Sequence, residues 1–155
     1  AYTIPKTVNR VGNSTFYNSK NLVEIILPNK LKEIGKKSFA GCNNWENLVL
    51  PDGVSKIGES AFEACESFES IMIPEGVTQL APGAFMHCTN LKKIVLPSTL
   101  EGIYEHAFAR CTNLTQITIP EKVKVIAYGA FLGCDNLKDI YYLGTNAQWN
   151  TIKII

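Results

Sequence analysis

Apolar and polar positions alternate over the few residues that precede each of six prolines, then give way to a three-residue spacing. In Leu91-Lys92-Lys93-Ile94-Val95-Leu96, Ile94 and Leu96 lie two apart and share a face, which predicts a strand buried on one side. Pro97 follows and, having no N–H, ends the ladder. Turn chemistry comes next, as in Pro51-Asp52-Gly53 and Pro74-Glu75-Gly76, where Pro presets one φ angle and Gly permits another. Pairs such as Val54/Ile57, Val77/Leu80 and Val123/Ile126 predict a second short extended piece. One helical turn is expected after it, carrying Ala61-Phe62 and Cys65, because i and i+3 share a helical face. Pro82 fits, since Pro is tolerated at the start of a helical turn. Asn21, Asn44, Asn90, Asn113 and Asn136, with Ser67 as the exception, stand just before the next strand. Short polar side chains there bond their own backbone or accept a left-handed conformation.

The whole pattern returns every 23 residues. Pro5, Pro28, Pro51, Pro74, Pro97 and Pro120 keep this interval, as do six phenylalanines from Phe16 to Phe131 and five cysteines from Cys42 to Cys134. One coil cannot bury its own Leu, Ile and Phe, whereas stacked coils can. At ~4.8 Å per coil, seven strands make a sheet roughly 30 Å long. Six Pro-to-Pro units occupy residues 1–142, where the pattern breaks: Leu143-Gly144 stands in place of a seventh Pro, and Trp149, Ile152 and Ile154 follow. Residues 143–155 are expected to form a tail capping the last coil. Ala1–Pro5 aligns with Asn47–Pro51, inside a repeat, and neither a signal segment nor an initiator Met is present. The expectation is a single domain cut from a longer protein.

A fixed period of 20–29 residues is the mark of a leucine-rich repeat solenoid. At the register Leu-x-x-Ile-x-Leu-Pro, then Ile-x-x-x-Ala-Phe-x-x-Cys, the chain resembles the BspA-like, or Treponema pallidum-type, leucine-rich repeats over essentially its whole length. The ending, Tyr141 to Trp149, resembles the way such arrays finish. The resemblance implies a right-handed parallel β coil with a concave parallel sheet, and second short strands and single helical turns on the convex side. It also implies a larger secreted or cell-surface protein of host-associated microbes, with an adhesive or protein-binding role and no catalytic motif. Ser19 departs from the pattern where Cys is expected, and Thr15 and Ser38 replace the usual Ala.

Composition adds exclusions. A net charge of +1 over 155 residues gives no reason to invoke nucleic acid or membrane binding. No apolar run approaches the ~20 residues needed to span a bilayer. The odd number of cysteines argues against a closed disulfide framework, and their spacing lacks the paired pattern of a zinc site. They are read as a buried column of small hydrophobes, with metal binding or a reactive nucleophile as the alternatives. His87 and His106 belong to no motif and are read as surface residues, and no phosphate-binding loop or nucleophile elbow occurs. Asn13-Ser14-Thr15 and Asn113-Leu114-Thr115 match the glycosylation triplet, a frequent chance match. The chain is therefore expected to be non-enzymatic and to hold no metal or cofactor.

The outward positions of the main strands carry the remaining signal. One column reads Glu24, Asn47, Ser70, Lys93, Gln116, Asp139, and is polar. The next reads Thr3, Ile26, Val49, Met72, Val95, Thr118, Tyr141. Four successive apolar residues in it predict a stripe roughly 15 Å long on the concave surface. Ile26, Val49, Met72, Lys93, Val95, Thr118 and Tyr141 are the candidate protein-binding residues, for a host or cell-surface protein. The plainer reading is that β-branched residues favour strands. Tyr104, Tyr128, Tyr142 and Trp149 either extend the stripe or seal the end. Charge is banded as well: residues 1–37 are net +5 and residues 38–75 net −6, read either as a solvated surface or as steering of a partner. A structural spacer carrying another domain is the competing role.

Overall fold

A computed structural model describes residues 1–46 and 48–155. Each 23-residue unit makes one coil with a front strand, a second strand and a closing turn. The first two coils supply β1 (Tyr2–Thr3), β2 (Arg10–Val11), β3 (Ile25–Ile26) and β4 (Glu33–Ile34). The third supplies β5 (Lys56–Ile57) alone among its described residues. Coils four to six give β6 (Ser70–Met72), β7 (Gln79–Leu80), β8 (Lys93–Val95), β9 (Gly102–Ile103), β10 (Gln116–Ile119) and β11 (Val125–Ile126). Then come β12 (Asp139–Tyr142), the helix α1 (Asn146–Trp149) and β13 (Lys153–Ile154). All pairs are parallel, and within the repeats each residue sits beside its copy one unit on, as in Ser70 with Lys93 and Gln79 with Gly102.

Stacking in register converts the sequence columns into interior files. The rings of Phe16, Phe39, Phe62, Phe85, Phe108 and Phe131 stack with centroids 5.3–5.8 Å apart and interplanar angles of 2–9°. The four inner rings are fully buried, as is Leu80, and Ile94 is buried beside them. Burying each such side chain contributes roughly 1.5–3 kcal/mol, and each stacked pair adds about 0.5–1.5 kcal/mol.

The closing turn is not a piece of continuous helix. Two residues before and two after each of the six stacked Phe, φ is positive, as at Ser60 and Ala64 around Phe62 or Gly83 and His87 around Phe85. Successive i→i+3 bonds, such as Ala61 N–H to Gly58 O and Glu63 N–H to Ser60 O, therefore close overlapping turns. The intervening N–H groups point to the next coil: Ser60, Phe62 and Ala64 donate to Pro82, Ala84 and Met86 carbonyls at 2.9, 2.9 and 2.7 Å. Three such bonds join every adjacent pair from the first coil to the sixth. Pro82 sits at the second position and Gly83 at the third of a turn closed by Ala84 N–H to Ala81 O, the placement a type II turn favours.

Two local expectations change. Gly53 and Gly76 do not take positive φ; Gly76 is required because a Cβ there would lie 2.9 Å from the Val54 carbonyl oxygen of the coil below. The asparagines before the front strands bond across coils rather than to their own backbone: Asn136 Nδ2 donates to Thr112 O at 2.7 Å, and Asn44 Nδ2 donates to Lys20 O.

The second-strand sheet has a break. It runs β2-β4-β5 and then β7-β9-β11-β13, with no pairing of β5 to β7. Glycine explains the position of the break. Gly12, Gly35 and Gly58 follow the second strand in the first three coils, where Ala81, Tyr104 and Ala127 stand later. A Cβ on Gly35 or Gly58 would lie 2.7 Å from the carbonyl carbon of the glycine below it. Ala81 carries that Cβ, so its coil cannot repeat the approach to Gly58. The bonds seen elsewhere, Gly58 N–H to Ile34 O and Tyr104 N–H to Leu80 O, have no counterpart from Ala81 to Ile57 among the described residues. A shallow crevice opens there between Ser55–Glu59 and Thr78–Pro82.

The front strands pair two by two, β1-β3, β6-β8 and β10-β12. Where the repeat calls for Leu, the third and fourth coils carry the larger Trp45 and Phe68, both buried. The Trp45 ring lies 5.1 Å from Phe39 and 6.5 Å from Phe62. No strand is assigned at residues 48–50, directly after it. The tail runs as a further, longer coil. Thr145 and Gln148 form a reciprocal cap on α1, and β13 then pairs with β11, Val125 beside Lys153. Of its apolar residues Ile152 is buried, while Trp149 lies against Tyr142 at 5.2 Å and remains partly exposed.

Candidate functional site

Alternation along the front strands aims one set of side chains into the core and the other outward. In β6 the sequence Ser70-Ile71-Met72 reads exposed, buried, exposed, and β8 repeats it with Lys93-Ile94-Val95. All seven candidate residues, Ile26, Val49, Met72, Lys93, Val95, Thr118 and Tyr141, have their side chains in solvent. Val49 and Met72 are the most open of the stripe, at 77% and 66%. Strand pairing sets Met72 beside Val95 and Thr118 beside Tyr141. Shallow depressions link the rest: one contains Ile26 and Val49, another Val49 and Met72, a third Val95, Thr118 and Lys93. Asn47, from the polar column, lies outside the described residues.

The depressions also contain acids that the alternation alone did not single out. Glu46 lines the first together with Glu24, Asp52 the second and Glu75 the third. Their signal is positional: Glu46 and Asp52 stand three residues either side of Val49, and Glu75 three after Met72. Two hydrogen bonds from Ser98, through its hydroxyl and its N–H, hold the Glu75 carboxyl below the usual carboxylate range.

Elsewhere the charged residues compensate one another coil to coil. Glu33 lies between Arg10 at 3.4 Å and Lys56 at 3.0 Å, and the Lys56 hydrogen bond holds its carboxyl below the ordinary value. Lys36 meets Glu59 at 2.9 Å, Lys92 meets Glu69 at 2.7 Å and Lys124 meets Glu101 at 3.1 Å. The basic and acidic bands are therefore joined across their boundary. Glu24, Glu46, Asp52, Glu75 and Lys93 form no ion pair among the described residues.

The cysteines do more than fill space. Each Sγ–H donates to the carbonyl of the Phe one coil earlier, as from Cys88 to Phe62 O at 3.1 Å and from Cys111 to Phe85 O at 3.2 Å. That carbonyl also accepts the N–H three residues on, Cys65 N–H to Phe62 O at 3.2 Å, so both lone pairs are used. All five are free thiols, and burial pushes every one above its ordinary value of 9.0, Cys42 to about 11. They are held as protonated donors. His87 and His106 are partly buried, both with positive φ, and the His106 ring meets Tyr128 edge-on at 5.5 Å.

Comparison with known proteins agrees with this architecture. The BspA type leucine rich repeat region matches in six copies, over residues 1–81 and 32–152. A leucine-rich repeat protein of Bacteroides ovatus superposes with a TM-score of 0.85 at 35% identity, covering 89% of this chain and 36% of its own. The T. pallidum leucine-rich repeat protein gives 0.85 at 31% identity, covering 90% of this chain and 67% of its own. One from Eubacterium ventriosum gives 0.64 at 26% identity, covering 85% and 42% respectively. The chain thus spans about a third of the first and two thirds of the second. Among curated proteins nothing matches. Register, repeat length and superposition agree: the chain belongs to the BspA-type leucine-rich repeat family.

Proposed function

We propose that this solenoid is a non-catalytic protein-binding module of a secreted or cell-surface protein, and that its partner seats on the concave sheet. The single observation that carries the reading is the run of exposed apolar side chains Ile26, Val49, Met72 and Val95 on four consecutive coils, in a fold whose interior already buries its other apolar files. Proteins built from leucine-rich repeats generally act as protein-interaction modules, and stacked repeats use their extended concave surface for this purpose. Lys93, Thr118 and Tyr141 continue the surface toward the C-terminal coils.

The test is binding of the chain to a panel of purified extracellular proteins by interferometry. Val49→Glu and Met72→Glu should abolish the signal of any binder while leaving the circular dichroism spectrum and melting temperature unchanged. Undiminished binding by both variants removes the concave surface from consideration. A spacer role would show as the absence of any binder.

A further inference from the structure

Resting on the concave-surface reading, we infer that the partner element is an amphipathic helix whose apolar stripe is bordered on both sides by Lys or Arg. Three observations converge. The exposed stripe from Ile26 to Val95 advances one coil at a time, so three steps of ~4.8 Å make it ~14 Å long. A helix brings apolar side chains back to one face about every 5.4 Å, or ~16 Å over three steps. An extended strand presents same-face side chains about every 6.8 Å and needs ~20 Å. The helix matches within ~2 Å, and the strand overshoots by about a coil.

The second observation is the border. Glu24 and Glu46 lie on the side where the front strands begin, Asp52 and Glu75 on the side where they end. Each shares a depression with a stripe residue, and all four are exposed. The third is the contrast in pairing. Glu33, Glu59, Glu69 and Glu101 each have a Lys or Arg of an adjoining coil within 3.4 Å. None of the four border acids is in an ion pair among the described residues. Apolar centre and unpaired acidic margins together complement an apolar ridge with basic flanks, and they repel anionic lipid and nucleic acid. Among the described residues, unpaired acids stand on both sides of the stripe in the third coil and on the entry side alone in the second (Glu24). In the fourth they stand on the exit side alone (Glu75), where the entry-side Glu69 is paired with Lys92; Lys93 ends the margin in the fifth.

Two synthetic helical peptides of about 18 residues serve as probes, long enough to cover the stripe with about a turn to spare at each end. Both carry one Leu stripe, bordered in one by Lys and in the other by Glu. Fluorescence anisotropy against the intact chain should show the Lys-bordered peptide binding at least about tenfold more tightly. Its affinity should fall about tenfold between roughly 0.05 M and 0.5 M salt. The double variant Glu46→Lys with Asp52→Lys should reverse the preference, and Met72→Glu should weaken both peptides. Equal, salt-independent binding of the two peptides that Met72→Glu still abolishes overturns the basic-helix inference and leaves the concave reading intact. Binding unaffected by Met72→Glu overturns both. Failure of both peptides to bind overturns the helix.

Discussion

Cys88 illustrates how much a single position carries. Its thiol donates to the Phe62 carbonyl one coil earlier, taking the lone pair that the Cys65 N–H leaves, and deprotonation would remove that donor and bury a charge. Two outcomes follow. The four buried thiols should stay silent toward a thiol-specific chromophore at pH 8, the partly buried Cys134 should react slowly, and all five should react after denaturation. Alkali should also destabilise the fold. Thiols raised above 9.0 keep their protons in the folded state while the unfolded chain releases them, so stability is full below pH 9 and falls as pH rises past it. Each fully buried thiol adds about 1.4 kcal/mol per pH unit to the slope. The urea midpoint of Cys88→Ala should therefore decline less between pH 9 and 10 than that of the parent. The left-handed positions make a separate prediction. Ala64→Gly should stabilise the chain by about 1 kcal/mol, because Ala there carries a steric penalty that Gly escapes. The period placed these residues in columns, yet neither the thiol bonds nor the positive φ values were legible from it. A repeat interval gives position along a coil and says nothing of which backbone group lies above.

At the level of elements, front strands, proline stops and second strands were all readable, because alternation and missing N–H groups are local properties. The closing turn was not. Its Ala-Phe-x-x-Cys spacing suits a helical turn, but half its N–H groups are claimed by the next coil, which no local pattern reveals. The break between β5 and β7 did have a visible trace in the switch from Gly12, Gly35 and Gly58 to Ala81, Tyr104 and Ala127. By hydrogen exchange, Thr78 and Ala81 amides should exchange faster than Glu101 and Tyr104, which donate to the coil below at 2.8 and 3.0 Å. Ala81→Gly should slow exchange at residues 78 and 81 toward the rates of their copies. Gly35→Ala should do the reverse one sheet earlier, costing about 1–3 kcal/mol through backbone overlap with Gly12.

For the molecule as a whole, stability is close to a sum over neighbouring coils, so a defect in the middle weakens two interfaces while one at the end weakens one. Phe85→Ala should cost about 3–5 kcal/mol in denaturant titration, and Phe16→Ala, at a half-covered end, distinctly less. The fold and the apolar stripe were both legible at this scale, since both are columns of a period. The acidic border was not, because it is assembled from strand entry and turn residues that only the stacked coils bring beside the stripe.

The distribution of cross-links around the coil has one more consequence. Every neighbouring pair of units from first to sixth is laced three times along the Phe-side ribbon, whereas among the described residues the front strands are joined only in pairs. The ribbon acts as a spine and the exposed stripe lies on the compliant flank. Flexing at the Gly58–Ala81 seam would spread or narrow the space between Val49 and Met72, changing the curvature of the front face without unpicking the core.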